Sequence, residues 1–457
     1  MGVERKRKEE KTESLSFSSP RAILMGGREM TYSKFRCFFV FSIAFLFLAA
    51  PQVLLADNAL VLPKGVSSLG VTFYNYFDIT QVYDGSGDAV DLGAFYNRSL
   101  DSMVFPDLQA LDPFVPDGTA TLGDAVVDFT REYRWWEIYY SYGVTSKLSL
   151  GVLIPYNFTR NNISAVMDTS TSDVGANPAY TLAGFDPLDP ATYPVIPVAF
   201  GGQPLDIHDV FSLLGPGLDV DGNGSIEGPE PAGYGYDAIK DWSGSDLGDI
   251  EILAKYQVYN ASPWRMALTG GLRLPTGTTD DPDNIMDVAP GDGQTDIILK
   301  LHTDFTGFRK LFLNATLEFD FQLPDETTLR VPIDPAIPLT PFKEKVDRDL
   351  GDIVNLELFG SYSINRDWSI GLEYKYTRKF KDEVDGDEGL AYSSLEQDSD
   401  FTSHMGILSV GYSTVQKFLD KEAAIPFNVT VAYRNRFAGT NGQTRSEYIS
   451  LDFGVYF

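Results

Sequence analysis

The segment 219–230, DVDGNGSIEGPE, carries the residue types and spacing best suited to holding a metal ion. In a calcium loop of this spacing Asp219, Asp221 and Asn223 supply side-chain oxygens and Ser225 its carbonyl. Glu227 adds a direct or water-mediated contact, Glu230 closes the site with two oxygens, and Gly224 permits the sharp turn. Pro216 and Gly217 before the segment, and Pro229 and Pro231 at its end, argue against two flanking helices. The expectation is therefore an isolated Ca2+ loop or, on the same residues, a solvated acidic turn; no cofactor is required elsewhere.

Residue patterns that support catalysis are missing. His208, His302 and His404 lie far apart, and none has the histidine or cysteine partners of a zinc site. The single cysteine, Cys37, leaves the chain beyond it without a disulfide or a thiolate nucleophile. No serine sits in a Gly-x-Ser-x-Gly elbow, and no strand runs into a phosphate-binding glycine loop. His302 and Asp304 share one face of an alternating segment, but with no nucleophile beside them they read as a structural polar pair. These observations point away from an enzyme. A formal net charge of −28 excludes nucleic acid as a partner and suits a surface that meets divalent cations.

A second set of chemical groups is spread through segments that alternate with a period of two. Asp249, Glu251, Lys255, Asp296, Lys300, Glu318, Asp320, Glu357, Glu373, Lys375, Arg434 and Arg436 occupy the polar face of such segments. Charges at every second position suit a face that lines water, and make these residues pore-lining candidates. Their mixed signs allow either a transverse field acting on solutes or salt bridges across a lumen.

The elements that would position them are strands. In 368–378, Trp368, Ile370, Leu372, Tyr374 and Tyr376 alternate with Ser369, Gly371, Glu373, Lys375 and Thr377. The chain ends in the same way: Ile449, Leu451, Phe453, Val455 and Phe457 share one face, and Tyr448, Ser450, Asp452, Gly454 and Tyr456 the other. Twelve such segments are expected near 66–84, 124–142, 147–159, 247–260, 265–277, 293–306, 310–323, 350–365, 367–380, 400–414, 426–438 and 445–457. Short turns at 143–146, 260–263, 306–309 and 365–367 alternate with long polar excursions, of which 160–246 is the longest. The fold class is all-β, a transmembrane antiparallel β-barrel of about twelve strands with long extracellular loops.

Residues 1–56 read as an N-terminal extension and a signal peptide. Lys34 and Arg36 precede the apolar run 38–50, and Leu54-Leu55-Ala56 offers a cleavage site. Residues 57–457 then form the barrel, with the long loop insertion at 160–246. Only 43% of residues are hydrophobic while aromatics reach 13%, so a membrane assignment rests on strands and not on apolar helices.

Five stretches in order carry a family resemblance: YGVTSKLSLGVLIPY (142–156), LGDIEILAKYQV (247–258), GGLRLPTG (270–277), GDGQTDIILKL (291–301) and the closing strand. They resemble the family named for the MetA-pathway of phenol degradation. The resemblance implies a channel or transporter in the bacterial outer membrane for passive uptake of small hydrophobic or aromatic compounds. The insertion at 160–246 departs from a compact member. Expected partners are outer-membrane lipids, the barrel-assembly machinery acting on the C-terminal strand, and a small-molecule solute. The alternative is a surface-exposed binding or adhesion protein anchored by its barrel. Gly270, Gly271, Pro275 and Gly277 read first as residues that set the path of the wall.

Overall fold

The structure, a computed structural model, describes residues 57–181, 186, 189–337 and 339–457; the export signal expected within 1–56 lies outside them. Twelve principal strands form one closed antiparallel sheet. They are β1 (Ser67–Tyr76), β2 (Thr121–Gly143), β3 (Leu148–Asp168), β4 (Ile250–Ala261), β5 (Trp264–Leu274), β6 (Asp296–Phe305), β7 (Leu311–Gln322), β8 (Ile353–Ser363), β9 (Trp368–Lys379), β10 (Phe401–Ser413), β11 (Phe427–Gly439) and β12 (Glu447–Tyr456). Each pairs with its sequence neighbours. β1 pairs with both β2 and β12, so the sheet has no free edge.

Alternation decides the two faces. On β9, Ile370 and Leu372 point outward, with Leu372 66% exposed, whereas Gly371 and Glu373 are buried on the inner side. On β12, Ile449, Leu451 and Phe453 face out while Tyr448, Ser450, Asp452 and Gly454 are buried within. The outer face is thus apolar and suited to lipid, and the polar residues line the interior. Most strands have 10 to 13 residues, close to the roughly 9–11 that a tilted strand needs to cross a bilayer.

Strand ends differ from the expected bounds at two places. The segment expected as a strand over 66–84 ends at Tyr76, and Gln81–Tyr83 instead forms a small hairpin with Ala89–Asp91. Residues 160–168, expected within a loop, continue β3 and pair with β2 residue by residue as far as Asp124↔Asp168. β2 has 23 residues, about 75 Å at roughly 3.3 Å per residue, more than twice a bilayer crossing. Beyond the lipid both faces of this hairpin meet polar surroundings, so the apolar-and-polar contrast that marks the wall fades while the backbone ladder persists.

At the loop end, parts of 77–120 and 169–241 fold over a hydrophobic core of their own. Leu100, Phe105, Leu122, Val174, Val210 and Leu213 are buried in it. Helix α1 (Ile207–Leu214) contributes two of these, its start fixed by a capping box between Asp206 and Asp209. A three-stranded sheet of Asp325–Arg330, Lys343–Asp349 and Glu383–Asp385 buries Val331, Val346 and Val384 beside it. At the other end the wall turns over a few residues, except that the short helix α2 (Val415–Leu419) lies between β10 and β11.

The seam between the first and last strands carries a side-chain fastening. The Tyr139 ring of β2 lies across β1, so close that a Cβ on Gly70 would sit 2.1 Å from it, and its hydroxyl stands 2.7 Å from a Cβ on Gly454 of β12. Glycine at both positions makes room for the ring. The Tyr139 hydroxyl donates to Asp452 at 3.2 Å, and the Thr72 hydroxyl of β1 donates to the same carboxylate at 2.9 Å.

Leu372→Arg, a charge in the middle of a lipid-facing strand, is expected to cost the barrel roughly 2–4 kcal/mol. Ile333→Arg, at a position 62% exposed outside the barrel strands, is expected to cost nothing measurable. Denaturant unfolding of the two variants in lipid, followed by heat-modifiable gel migration, measures the difference; equal stabilities would remove the lipid-facing assignment.

Candidate functional site: the barrel lumen

A cavity of about 870 Å³ opens inside the barrel, lined by charged side chains from nearly every part of the wall. Register explains how these charges meet. Residues directly opposite on neighbouring strands have adjacent side chains, and Lys300↔Glu318 and Glu357↔Lys375 are such pairs. Their ion pairs measure 3.0 and 2.9 Å. Arg273 stands opposite Glu251 on one side and Asp296 on the other. It bonds both, at 3.0 and 2.5 Å, and approaches Asp320 at 3.6 Å.

The chain before β1 completes this lattice. Residues 57–63 run through the lumen, and Asp57 accepts ion pairs from Lys255 at 3.0 Å and Lys300 at 3.2 Å. The Ala59 amide donates to Asp304, its carbonyl accepts from Gln257, and the Leu62 amide donates to Ser149. The carbonyl of Pro63 passes so near Gly143 that a Cβ there would sit 2.1 Å away, which only glycine avoids. The segment is anchored by four wall strands and fills part of the aqueous path.

Of the pore-lining candidates, Glu251, Lys255, Lys300, Glu318, Asp320, Glu357, Glu373, Lys375 and Arg434 surround the cavity. Asp249, Asp296 and Arg436 do not line it. Asp249 follows a break in the strand pairing and accepts from the Gly277 and Asp292 amides, tying two loops to the wall. Asp296 is wholly buried behind Arg273, and Arg436 donates to Thr444 near the loop end. Five further charged residues line it without being among the candidates: Asp57, Glu137, Arg265, Arg273 and Asp452. Arg273 sits in GGLRLPTG on the same alternation as its neighbours, and Glu137 alternates with Trp136 and Ile138, so the period itself marks both. Nothing periodic marks Asp57, whose partner Lys255 lies 198 residues away.

His302 and Asp304 both face inward. The His302 ring is held between Thr269 at 2.8 Å and Thr316 at 3.1 Å, while Asp304 accepts from Asn314 and the Ala59 amide. They act as separate polar anchors. His404 faces the other way, 2.8 Å from the Tyr374 hydroxyl in a cluster of outward rings with Tyr376 and Phe437. His208 lies on α1.

In the acidic loop, ligand oxygens of Asp219, Asp221 and Glu230 lie within 4.8 Å of one another. Asp219 accepts the amides of Gly222, Asn223 and Gly224, and Glu230 those of Val220, Asp221 and Glu227. The hydrogen bond from the Gly224 amide leads those that hold the Asp219 carboxyl below its ordinary range. Asn223 turns its amide nitrogen to Asp221 and Glu227. The backbone already satisfies much of the cluster, which is what an acidic turn needs, and the remaining oxygens converge as a cation would require.

The family model described as MetA-pathway of phenol degradation matches residues 193–445. No curated protein sequence matches the chain. Among solved structures, the chain is similar to an outer-membrane channel from Pseudomonas putida F1 at 13% identity and a TM-score of 0.49, covering 89% of this chain and 100% of that one. It is similar to a FadL homologue from Pseudomonas aeruginosa at 11% identity and a TM-score of 0.33, over 86% and 90% of the two chains. A TodX monoaromatic hydrocarbon channel mutant shows 10% identity and a TM-score of 0.30 over the same shares.

Deleting residues 57–63 removes peptide from the aqueous path and is expected to raise single-channel conductance in planar bilayers by roughly twofold or more. Unchanged conductance would show that the segment does not restrict the path. For the acidic loop, the proposal that it takes Ca2+ requires chelation to increase proteolytic nicking between 169 and 241 while the barrel strands stay protected, because unneutralised carboxylates repel. Asp221→Ala should be nicked even with Ca2+ present. If calcium alters neither nicking nor the heat of ion titration, the loop is an acidic turn.

Proposed function

The chain belongs to the family described as MetA-pathway of phenol degradation, and from that premise we propose that it is an outer-membrane channel for passive uptake of small hydrophobic, in particular aromatic, organic compounds. The observation that carries the reading is the closed twelve-stranded wall, apolar outside and charged inside around a cavity of about 870 Å³. A purely structural barrel would fill such a lumen with packed side chains. The TodX structure is of a monoaromatic hydrocarbon channel, which is the solute class proposed here.

The role is transport and not catalysis. The inward histidine is engaged by two threonines, and the inward carboxylates are committed largely to lysine and arginine. Outward leucines, isoleucines and aromatics meet the lipid, and the alternating C-terminal strand is the part offered to the assembly machinery. A surface-binding protein on a barrel anchor would leave the paired charges around the cavity without a task.

Cells that carry the full chain in their outer membrane are expected to take up labelled monoaromatic compounds at low concentration faster than cells carrying the Leu372→Arg variant or none. Equal initial rates at matched membrane integrity would overturn the channel reading.

A further inference from the structure

The outward face of the β2–β3 hairpin carries a cluster that the lumen does not use. Phe73 of β1, Trp136 of β2, and Tyr156 and Phe158 of β3 form a connected patch of rings on that face, with successive centroids 5.9, 5.9 and 5.0 Å apart. Aromatic residues gather where a barrel wall passes from hydrocarbon to headgroups, so these rings mark that level. The height of the strand agrees. Arg134, the next outward residue beyond Trp136, lies nine residues before the turn end of β2 at Gly143. That is about 30 Å of strand at roughly 3.3 Å per residue, and about 23 Å of height at a tilt of about 40°, against an apolar band about 25 Å tall.

Two guanidinium groups emerge at this level. Arg134 stands opposite Phe158, and Arg160 stands opposite Glu132, one step of the alternation further out. Their side chains are 57% and 60% exposed. Each lies 3.9 Å from Glu132, too far for a hydrogen bond, and neither guanidinium donates one among the described residues. An outward arginine elsewhere on the upper wall, Arg378 of β9, is by contrast bonded to Asp400 at 2.8 Å. One carboxylate between two guanidinium groups leaves the cluster positive, although the whole chain carries a formal charge of −28. The next outward acid on β2, Asp128, is four residues beyond Glu132. Above the cluster the outward column continues with the hydroxyls and amide of Thr130, Asn162 and Ser164.

We propose that Arg134 and Arg160 form a docking site for a phosphate on the sugar headgroup of an outer-leaflet glycolipid, whose acyl chains lie against Trp136, Tyr156 and Phe158. The long loops mark the outer end of the barrel, which places the site in the outer leaflet. Guanidinium forks bond phosphate oxygens in pairs, and the rings beneath them offer the chains an apolar surface. Glu132 steadies both side chains at headgroup height without taking up their donors. A small phospholipid headgroup would end at the arginines. A sugar reaches further, and this hairpin continues beyond the bilayer with a hydroxyl and amide face at the height a sugar occupies. The site lies outside the lumen and does not depend on the solute that the channel carries.

The purified full chain in detergent, mixed with equimolar amounts of an acylated glucosamine disaccharide bisphosphate, its phosphate-free form and phosphatidylglycerol and read by native mass spectrometry, tests this. The native chain should retain the bisphosphate about tenfold more than either other lipid. Arg134→Gln combined with Arg160→Gln should bring its retention down to that of the phosphate-free form, and each single change should remove part of it. Arg378→Gln, which removes the same charge from the same outward side of the wall, should leave retention within about twofold of native. Heat-modifiable migration verifies that each variant is a folded barrel, and if the double variant does not fold, the single ones decide. Equal retention of the phosphate-free form would overturn the phosphate site. Equal retention of phosphatidylglycerol would overturn the glycolipid as its occupant. An equal loss in Arg378→Gln would overturn the placement at Arg134 and Arg160 and leave only general charge attraction.

Discussion

A chain that crosses hydrocarbon must pair every backbone N–H and C=O within itself, and the rest of this molecule depends on that requirement. Strands satisfy it only when the sheet has no edge, so β1 pairs with β12 as well as with β2. Once the sheet closes, the two-residue period of each strand permits only two environments. Ile370 and Leu372 go to lipid and Glu373 to the interior because they are neighbours in sequence, and no local preference could place them otherwise. A single constraint on the backbone thereby produces both the greasy outer surface and the charged lumen.

Closure also forces the interior charges to solve their own electrostatics. Most of them do so with the residue directly across the ladder: Lys300 with Glu318, Lys375 with Glu357, and Arg273 with Glu251 and Asp296. Taking an ion out of water is costly unless it is paired and hydrogen-bonded, so a lumen narrowed by peptide needs this matching more than an open one does. Asp57 contributes from outside the wall by standing between two lysines. The segment that carries it is therefore held by charge and by backbone hydrogen bonds together, with Gly143 clearing its path.

How much of this could be read from the residues follows from the same geometry. Where lipid lies on one side and water on the other, alternation is strong, and the strands around Leu372, Phe321 and Leu451 stand close to their expected places. Where polar surroundings lie on both sides, as for β3 beyond Thr159, the residues carry no apolar-and-polar contrast and a strand there resembles a loop in the sequence. Periodicity assigns a face but not a neighbour. That Arg273 gathers three carboxylates needs the register of β4, β5, β6 and β7, and that Asp57 reaches Lys255 needs the closed barrel. The hydrophobic core around Leu122, Val174 and Val210 was hidden for a related reason, since its members come from segments far apart in the chain. The acidic loop was visible in detail because all its groups lie within twelve residues, and local spacing is what a sequence displays most directly.

Tyr139, Thr72 and Asp452 belong to three different strands, and two of those strands are the first of the barrel while the third is the last. Their meeting cannot occur in any partly built sheet. An open ribbon that has formed every hairpin from β1 to β11 still has the Tyr139 hydroxyl and the Thr72 hydroxyl without their shared acceptor, and both lie idle until the final strand arrives in register. A slip of β12 by one residue would turn Asp452 to the lipid and bring Phe453 or Val455 beneath the Tyr139 ring in place of Gly454. The fastening is in effect a proofreading contact: it rewards completion of the correct circle and gives nothing to a misregistered one, so fidelity of assembly is written into three side chains at the place where the two ends of the chain first become neighbours.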